Sequence, residues 1–261
     1  MWLAACWLFA TQKDGISALA LKRALQIGST QTAWAMLHRL RSVLLRPGRE
    51  RLAGDVEVDE SYFGGEEPGL RGGRQKGKKV LVAIAVERRE PKGFGRCRIG
   101  PIIDASAETL HSFLVENVEP GATVISDGWG SYPPATKDLY VHQPVKGASG
   151  REASKLLPGV HTVSSLAKRW LLGTHQGSVD EAHLASYLNE FEFRFNRRRS
   201  RSRGLVFYRV LELAVAHEPV RYRELIANPK PGRLHPPTPP TSRGRPPSLE
   251  RRRARRPWRT A

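Results

Sequence analysis

The chain has 261 residues, enough for one large or two small domains with a substantial core. Its 43 Lys and Arg against 25 Asp and Glu leave a net charge of +18, which points to a polyanionic partner. The two cysteines, Cys6 and Cys97, lie far apart and form no CxxC pair, which excludes a disulfide framework or a cysteine-rich zinc site and fits buried thiols of a cytosolic protein.

The opening MWLAACWLFA has no basic residue before its apolar run and is too short to span a bilayer. It reads as a packed helix of a soluble protein. Residues 12–46 read as two helices around a tight turn. Ser17 is placed to cap the first, whose apolar residues include Leu19, Leu21 and Leu25. Gly28 is the expected turn residue, and Ser29 or Thr30 can cap the second helix. Ala33, Leu37, Leu40 and Leu44 keep helical spacing on one face. An ordinary helical hairpin has this pattern, and so does a helix-turn-helix; in the latter Gln31, Trp34, His38 and Arg41 face a DNA groove.

From Asp55 the period changes to that of strands. VEVDESYFG precedes a Gly- and Lys-rich stretch at 69–79, and VLVAIAVER and GRCRIGPII then pair as a meander. SAETLHSFLVENV reads as a helix capped by Ser106, with Leu110, Phe113 and Leu114 buried. ATVISDGWGSY reads as a fourth strand ending in an acid, so the segment predicts a mixed α/β sheet. Residues 133–158 read as a loop. HTVSSLAKRWLLGTHQG follows, then a helix with Leu184, Tyr187, Leu188, Phe191 and Phe195 on one face, and FYRVLELAV as a further helix. From Pro229 onward, ten Lys or Arg, nine Pro and one acid in 33 residues predict a disordered tail. Residues 1–228 keep a charge of +9, from 33 basic and 24 acidic residues.

Against that basic background, VEVDESYFGG concentrates Glu57, Asp59 and Glu60. Asp59 and Asp127 each end an apolar strand, where a carboxylate sits at the lip of a sheet. Asp127-Gly128 is also an ordinary turn pair. Two such carboxylates on neighbouring strands suit a pair of Mg²⁺ ions about 3.5–4 Å apart, as in sites that cleave phosphodiesters. Acids that hold metal among cations that hold phosphate are the pattern of a nuclease-like site.

The stretches GDVEVDESYFGG, ISDGWGSY, KRWLLGTHQG and YLNEFEFRFNRRRSRSRGLVFYR, in this order, resemble insertion-sequence transposases of the DDE superfamily with an ISXO2-like transposase domain, family fifteen ninety-five. The likeness runs from about residue 10 to 215. It implies a ribonuclease-H-like fold, with Asp59 on the first strand and Asp127 just after the fourth as ligands of two Mg²⁺ ions, for which Mn²⁺ can substitute. In such enzymes a third residue lies on a helix, with a basic residue seven positions later. His161 and Lys168 fit, giving a site of Asp59, Asp127, His161 and Lys168 with His161 as the third metal ligand. Glu190, seven before Arg197, is the rival third ligand. Imidazole suits Mg²⁺ less well than carboxylate does.

The resemblance further implies DNA backbone contacts from Lys168, Arg169, Arg194, Arg197 and Arg198, with Asn196 beside them, and Trp129 stacking on a base. The expected organisation is a helical DNA-binding segment at 1–50, a catalytic domain at 51–228 and the tail at 229–261. The implied activity is phosphodiester hydrolysis at element ends, followed by strand transfer. The implied partners are double-stranded DNA, both terminal inverted repeats and target, and a second copy of the chain or more. The implied setting is cytoplasmic and nucleoid-associated, with no membrane partner. Relatives commonly carry a zinc ribbon before the helix-turn-helix; with no CxxC, the chain reads as a form lacking it. The alternative reading is an inactive remnant that only binds DNA.

Overall fold

The computed structural model describes residues 1–46, 48–64, 79–89, 91–145, 153–175, 179 and 181–227. The basic tail and nearly all of the Gly- and Lys-rich stretch lie outside the described residues.

The chain begins with α1 (Trp2–Thr11), α2 (Ala18–Ala24) and α3 (Thr30–Ser42). Strands β1 (Asp55–Phe63), β2 (Val80–Arg88) and β3 (Phe94–Pro101) form the meander that the alternation predicts. Then come α4 (Ala107–Asn117), β4 (Thr123–Ser126), α5 (Tyr132–Thr136) and β5 (Val141–Pro144). The chain continues through α6 (Ala153–Leu156), α7 (Pro158–His175), α8 (Glu181–Asn196), α9 (Arg203–Ala216) and α10 (Tyr222–Ile226).

The sheet order is β3-β2-β1-β4-β5. β1 is antiparallel to β2 and parallel to β4; β2 and β3 are antiparallel, and β4 and β5 parallel. This is the ribonuclease-H-like arrangement. Side chains alternate across each strand, so the two faces bury different sets. Val56, Val58, Ala83, Ala85 and Val124 pack with α4 and α5 on one face. Val82, Ile84, Val86, Cys97 and Ile99 pack with α7 and α8 on the other. A third cluster joins α1, α2 and α3 to Val206 and Val210 of α9 and Phe193 of α8.

Ser17 and Ser106 cap α2 and α4 as expected, accepting from Ala20 N at 3.2 Å and Thr109 N at 3.3 Å. The turn before α3 differs from expectation: the left-handed residue is Gln26, at φ 53°, rather than Gly28. The stretch read as a loop contains α5, with proline in its first turn where no intrahelical donor is needed, and β5. Leu19 faces solvent.

The larger correction concerns α3. Its apolar face packs as expected, but the face offered to a DNA groove is interior: His38 is 3% exposed and Arg41 1%. The cause is α8. Arg41 Nε donates to Glu190 at 2.8 Å, and the Arg41 guanidinium lies 4.1 Å from the Tyr187 ring centre. Trp34 stacks at 4.1 Å on His38 and meets His183 edge-on. Burial, then Arg41, His183 and His175, push His38 down to about 2, so it stays neutral. Gln31 is exposed and donates to the Tyr222 hydroxyl, while Arg39 donates to Val220 O. His38 and Arg41 are therefore enclosed and not available to a groove, while Gln31 is exposed and Trp34 partly so.

Glu190 also accepts from Arg194 at 2.8 Å and is fully buried. Burial raises its pKa, but the two guanidiniums more than offset this and hold the carboxyl below the usual 4.5. Removing one partner of a buried pair strands the other charge. Glu190→Ala is expected to destabilise the fold by about 3–5 kcal/mol in urea denaturation. Because the folded pKa is depressed, the stabilisation from Glu190 is present above pH 4.5 and lost as pH falls below it. The stability gap between wild type and Glu190→Ala should therefore shrink on acidification below that value.

Candidate active site

β1 and β4 run side by side with Val56 opposite Val124 and Glu57 opposite Ile125. Asp59 lies on β1 two residues past the last β1–β4 pair, and Asp127 comes directly after the end of β4. Both carboxylates are near enough to the Tyr132 hydroxyl to act on it electrostatically. Asp59 is half-buried and accepts from Glu60 N at 2.8 Å; Asp127 is exposed and accepts from Trp129 N at 2.9 Å. Glu60 points to the opposite face, where the buried Tyr132 hydroxyl donates to it at 2.6 Å. Burial pushes Tyr132 well above its ordinary pKa, and the negative charges of Glu60, Asp59 and Asp127 add to the effect. Tyr132 therefore senses all three acids and holds its proton. The aromatic position in SDGWGSY was visible in the sequence; its link to Glu60 was not.

The helix above Asp59 is fixed by Glu57. This carboxylate is fully buried and accepts from Gly159 N at 2.7 Å, Val160 N at 3.1 Å and Arg88 Nε at 2.7 Å. Two of these donors are orphan N–H groups of the first turn of α7, where the helix dipole also favours an anion. Further along, Lys168 Nζ donates to Ser61 Oγ at 2.7 Å. From Glu57 to Ser61 a strand advances about 13 Å. From Gly159 to Lys168 a helix advances about 13.5 Å. α7 thus runs beside β1 in the same direction, and its second turn passes Asp59. His161 and Lys168, seven apart, differ by only about 20° around the helix, so His161 shares the stripe that reaches β1. His161 also lines a groove of about 350 Å³ with Thr162, Ser165 and Arg169. Burial and Lys79 lower the pKa of Lys168.

Residues 51–196 match the ISXO2-like transposase domain. The match covers more than half of the chain. The chain belongs to this family of DDE transposases. No curated protein matches it.

The matched span of the transposase contains Asp59, Asp127, His161, Lys168 and Glu190 but not α1–α3 or α9. Among the described residues no three His, Cys, Asp or Glu side chains gather closely enough to hold a metal ion. Asp59 lies on β1, Asp127 directly after β4, and His161 on α7. Glu190 is remote from them in kind as well as place, since both its oxygens are taken by Arg41 and Arg194. Several residues expected to grip DNA are instead bonded inside the protein. Arg194 donates to Glu190, Gln12 O and Phe9 O. Arg198 donates to Phe94 O, Gly95 O and Phe195 O. Asn196 bonds the backbone of Cys97. Arg197 lies 3.8 Å over the Phe193 ring, whereas Lys168 and Arg169 are exposed on α7. The reason is that α8 must hold an edge strand and α3 with its polar side chains.

A methyl group on Gly159 would come within 2.9 Å of both Glu57 Oε2 and the Phe94 ring. Gly159→Ala is expected to cost about 1–3 kcal/mol, the usual scale of overpacking. Asp127→Asn, at an exposed position, should stay within about 0.5 kcal/mol of wild type. Parallel urea titrations of the two variants check both statements.

Proposed function

We propose that this transposase hydrolyses the phosphodiester at each end of its element and then joins the freed 3′-hydroxyl to target DNA. What supports this reading is Asp59 on β1 and Asp127 directly after β4, its parallel neighbour, with α7 tied to β1 through Glu57 and Lys168. Two such carboxylates, one exposed and one half-buried, fit a hard divalent cation such as Mg²⁺ or Mn²⁺. Asp59, Asp127 and His161 are the residues that would hold such an ion, and it would supply Lewis acidity at a phosphodiester.

The chain's own groups have separable tasks. Glu57 fixes the height and direction of α7, the helix that carries His161, relative to β1. Arg169 faces the groove on α7, and Lys168 reaches β1 at Ser61; both would balance the charge of a phosphate bound nearby. Tyr132 keeps Glu60 hydrogen-bonded on the far face, away from the substrate side. Water attacks phosphorus in the first step, and the released 3′-hydroxyl attacks a second phosphodiester in the next. One phosphodiester is broken for each one made in that second step, so no nucleotide triphosphate is needed. Pairing two ends calls for at least two copies on double-stranded DNA.

One observation favours the alternative, a remnant that binds DNA without cutting it: the three proposed ligands do not form a closed metal-holding group among the described residues. Cleavage of a labelled duplex carrying the element's terminal repeat, with Mg²⁺ or Mn²⁺, separates the two. Asp59→Ala, Asp127→Ala and His161→Ala are each expected to lower cleavage by at least about 10³-fold while leaving duplex binding within a few-fold. Cutting that survives His161→Ala would remove it from the site. A wild-type chain that binds the duplex but never cuts it would leave only the remnant reading.

A further inference from the structure

On the β3 edge of the sheet, a cavity of about 340 Å³ opens between the α3–β1 segment, β3, α8 and α9. Six arginines line it: Arg46, Arg49, Arg96, Arg98, Arg197 and Arg209. Their ion-pair partners are Glu50, Glu87, Glu192 and Glu212. Six guanidiniums against four carboxylates leave two positive charges unmatched among the described residues. Arg197 has no carboxylate partner among these pairs; it rests on the Phe193 ring and donates to Phe193 O at 3.4 Å. Burial, then Arg209 and Arg46, lower it to about 10. Arg98 is 4% exposed, and its Nε has no hydrogen-bond partner. A buried donor left unsatisfied costs about 1–3 kcal/mol. A wall that carries surplus positive charge is complementary to an anion with several acceptor oxygens.

The cavity is distinct from the strand acids. Arg98 pairs across to Ala85, and Ala85 to Val58, so Arg98 stands two strands away from β1. Guanidinium forks match phosphate oxygens in pairs, which makes phosphate the anion of choice here.

We propose that this cavity is a second anion site that takes a backbone phosphate of DNA, away from the reacting phosphodiester. It rests on the reading above that the chain acts on DNA. The phosphate held there would anchor flanking duplex along the β3 edge while the ends are processed at β1 and β4.

The test uses the full chain, a fluorescently labelled DNA duplex and a salt series, with calorimetric titration of inorganic phosphate alongside. Arg46→Gln/Arg209→Gln removes two rim charges that are 40% and 35% exposed, so the fold should survive, as a thermal melt verifies. Arg23→Gln/Arg223→Gln, exposed and outside the cavity, removes the same charge elsewhere. The cavity pair is expected to weaken duplex binding at least about tenfold and to reduce the slope of log K against log salt by about 1–2, with the control pair changing much less. Equal loss in the two pairs would overturn the site, since general charge would then explain it. Phosphate binding that the cavity pair abolishes, with duplex binding unchanged, would overturn the DNA assignment and leave a site for free phosphate. A wild-type chain that binds no duplex at any salt would defeat the transposase reading itself; wild-type binding with unaffected cavity variants would defeat only this site.

Discussion

Much of the molecule hangs on carboxylates buried along one helix. In α8, Glu190 sits between Arg41 and Arg194, and Glu192 between Arg49 and Arg98. Removing such charges from water costs several kcal/mol each, so they are tolerated only when every partner is in place. The two glutamates show how close that balance is. Glu190 accepts at 2.8 Å from both arginines, and attraction wins: its pKa falls. Glu192 has one bond at 2.5 Å and one at 3.3 Å, and burial wins: its pKa rises despite both cations. α3, the segment before β1, and β3 must therefore reach α8 together. This joins the helical cluster to the sheet, although the two are far apart in sequence.

That joint divides the motifs into two kinds. The motifs around Asp59 and Asp127 lie on and just after neighbouring parallel strands. NEFEFRFNRR spends its polar side chains on the protein itself. Its regularity comes from a helix that must answer a strand edge on one side and an arginine of α3 on the other.

The sheet was largely legible in the sequence because its signals are local. Alternation in VEVDESYF, the apolar run of VLVAIAVER and the Ser106 cap each act over a few residues. The two strand acids stood out because a basic chain had no other reason to cluster carboxylates. β5 escaped because VHQP is four mostly polar residues with no alternation, and α5 because YPPAT carries two prolines. The fate of α3 was not local at all. Periodicity identified the helix, but an arginine is ordinarily assigned to the surface. Only its partner, 149 residues later, makes Arg41 interior. Glu57 was hidden in the same way: next to Asp59 and Glu60 it looked like one more surface acid. Its true neighbours are the first N–H groups of a helix about a hundred residues on.

The edge of β3 has a consequence for how copies of the chain can meet. An edge strand ordinarily offers free N–H and C=O groups to any other strand. Here the side chain of Asn196 takes both the N–H and the C=O of Cys97, Glu192 takes the N–H of Ile99, and Arg198 takes the carbonyls of Phe94 and Gly95. The position a sixth strand would occupy is already filled, group by group, by side chains. A second copy approaching this border would find these groups already taken, so a sheet shared between copies could not be built through them.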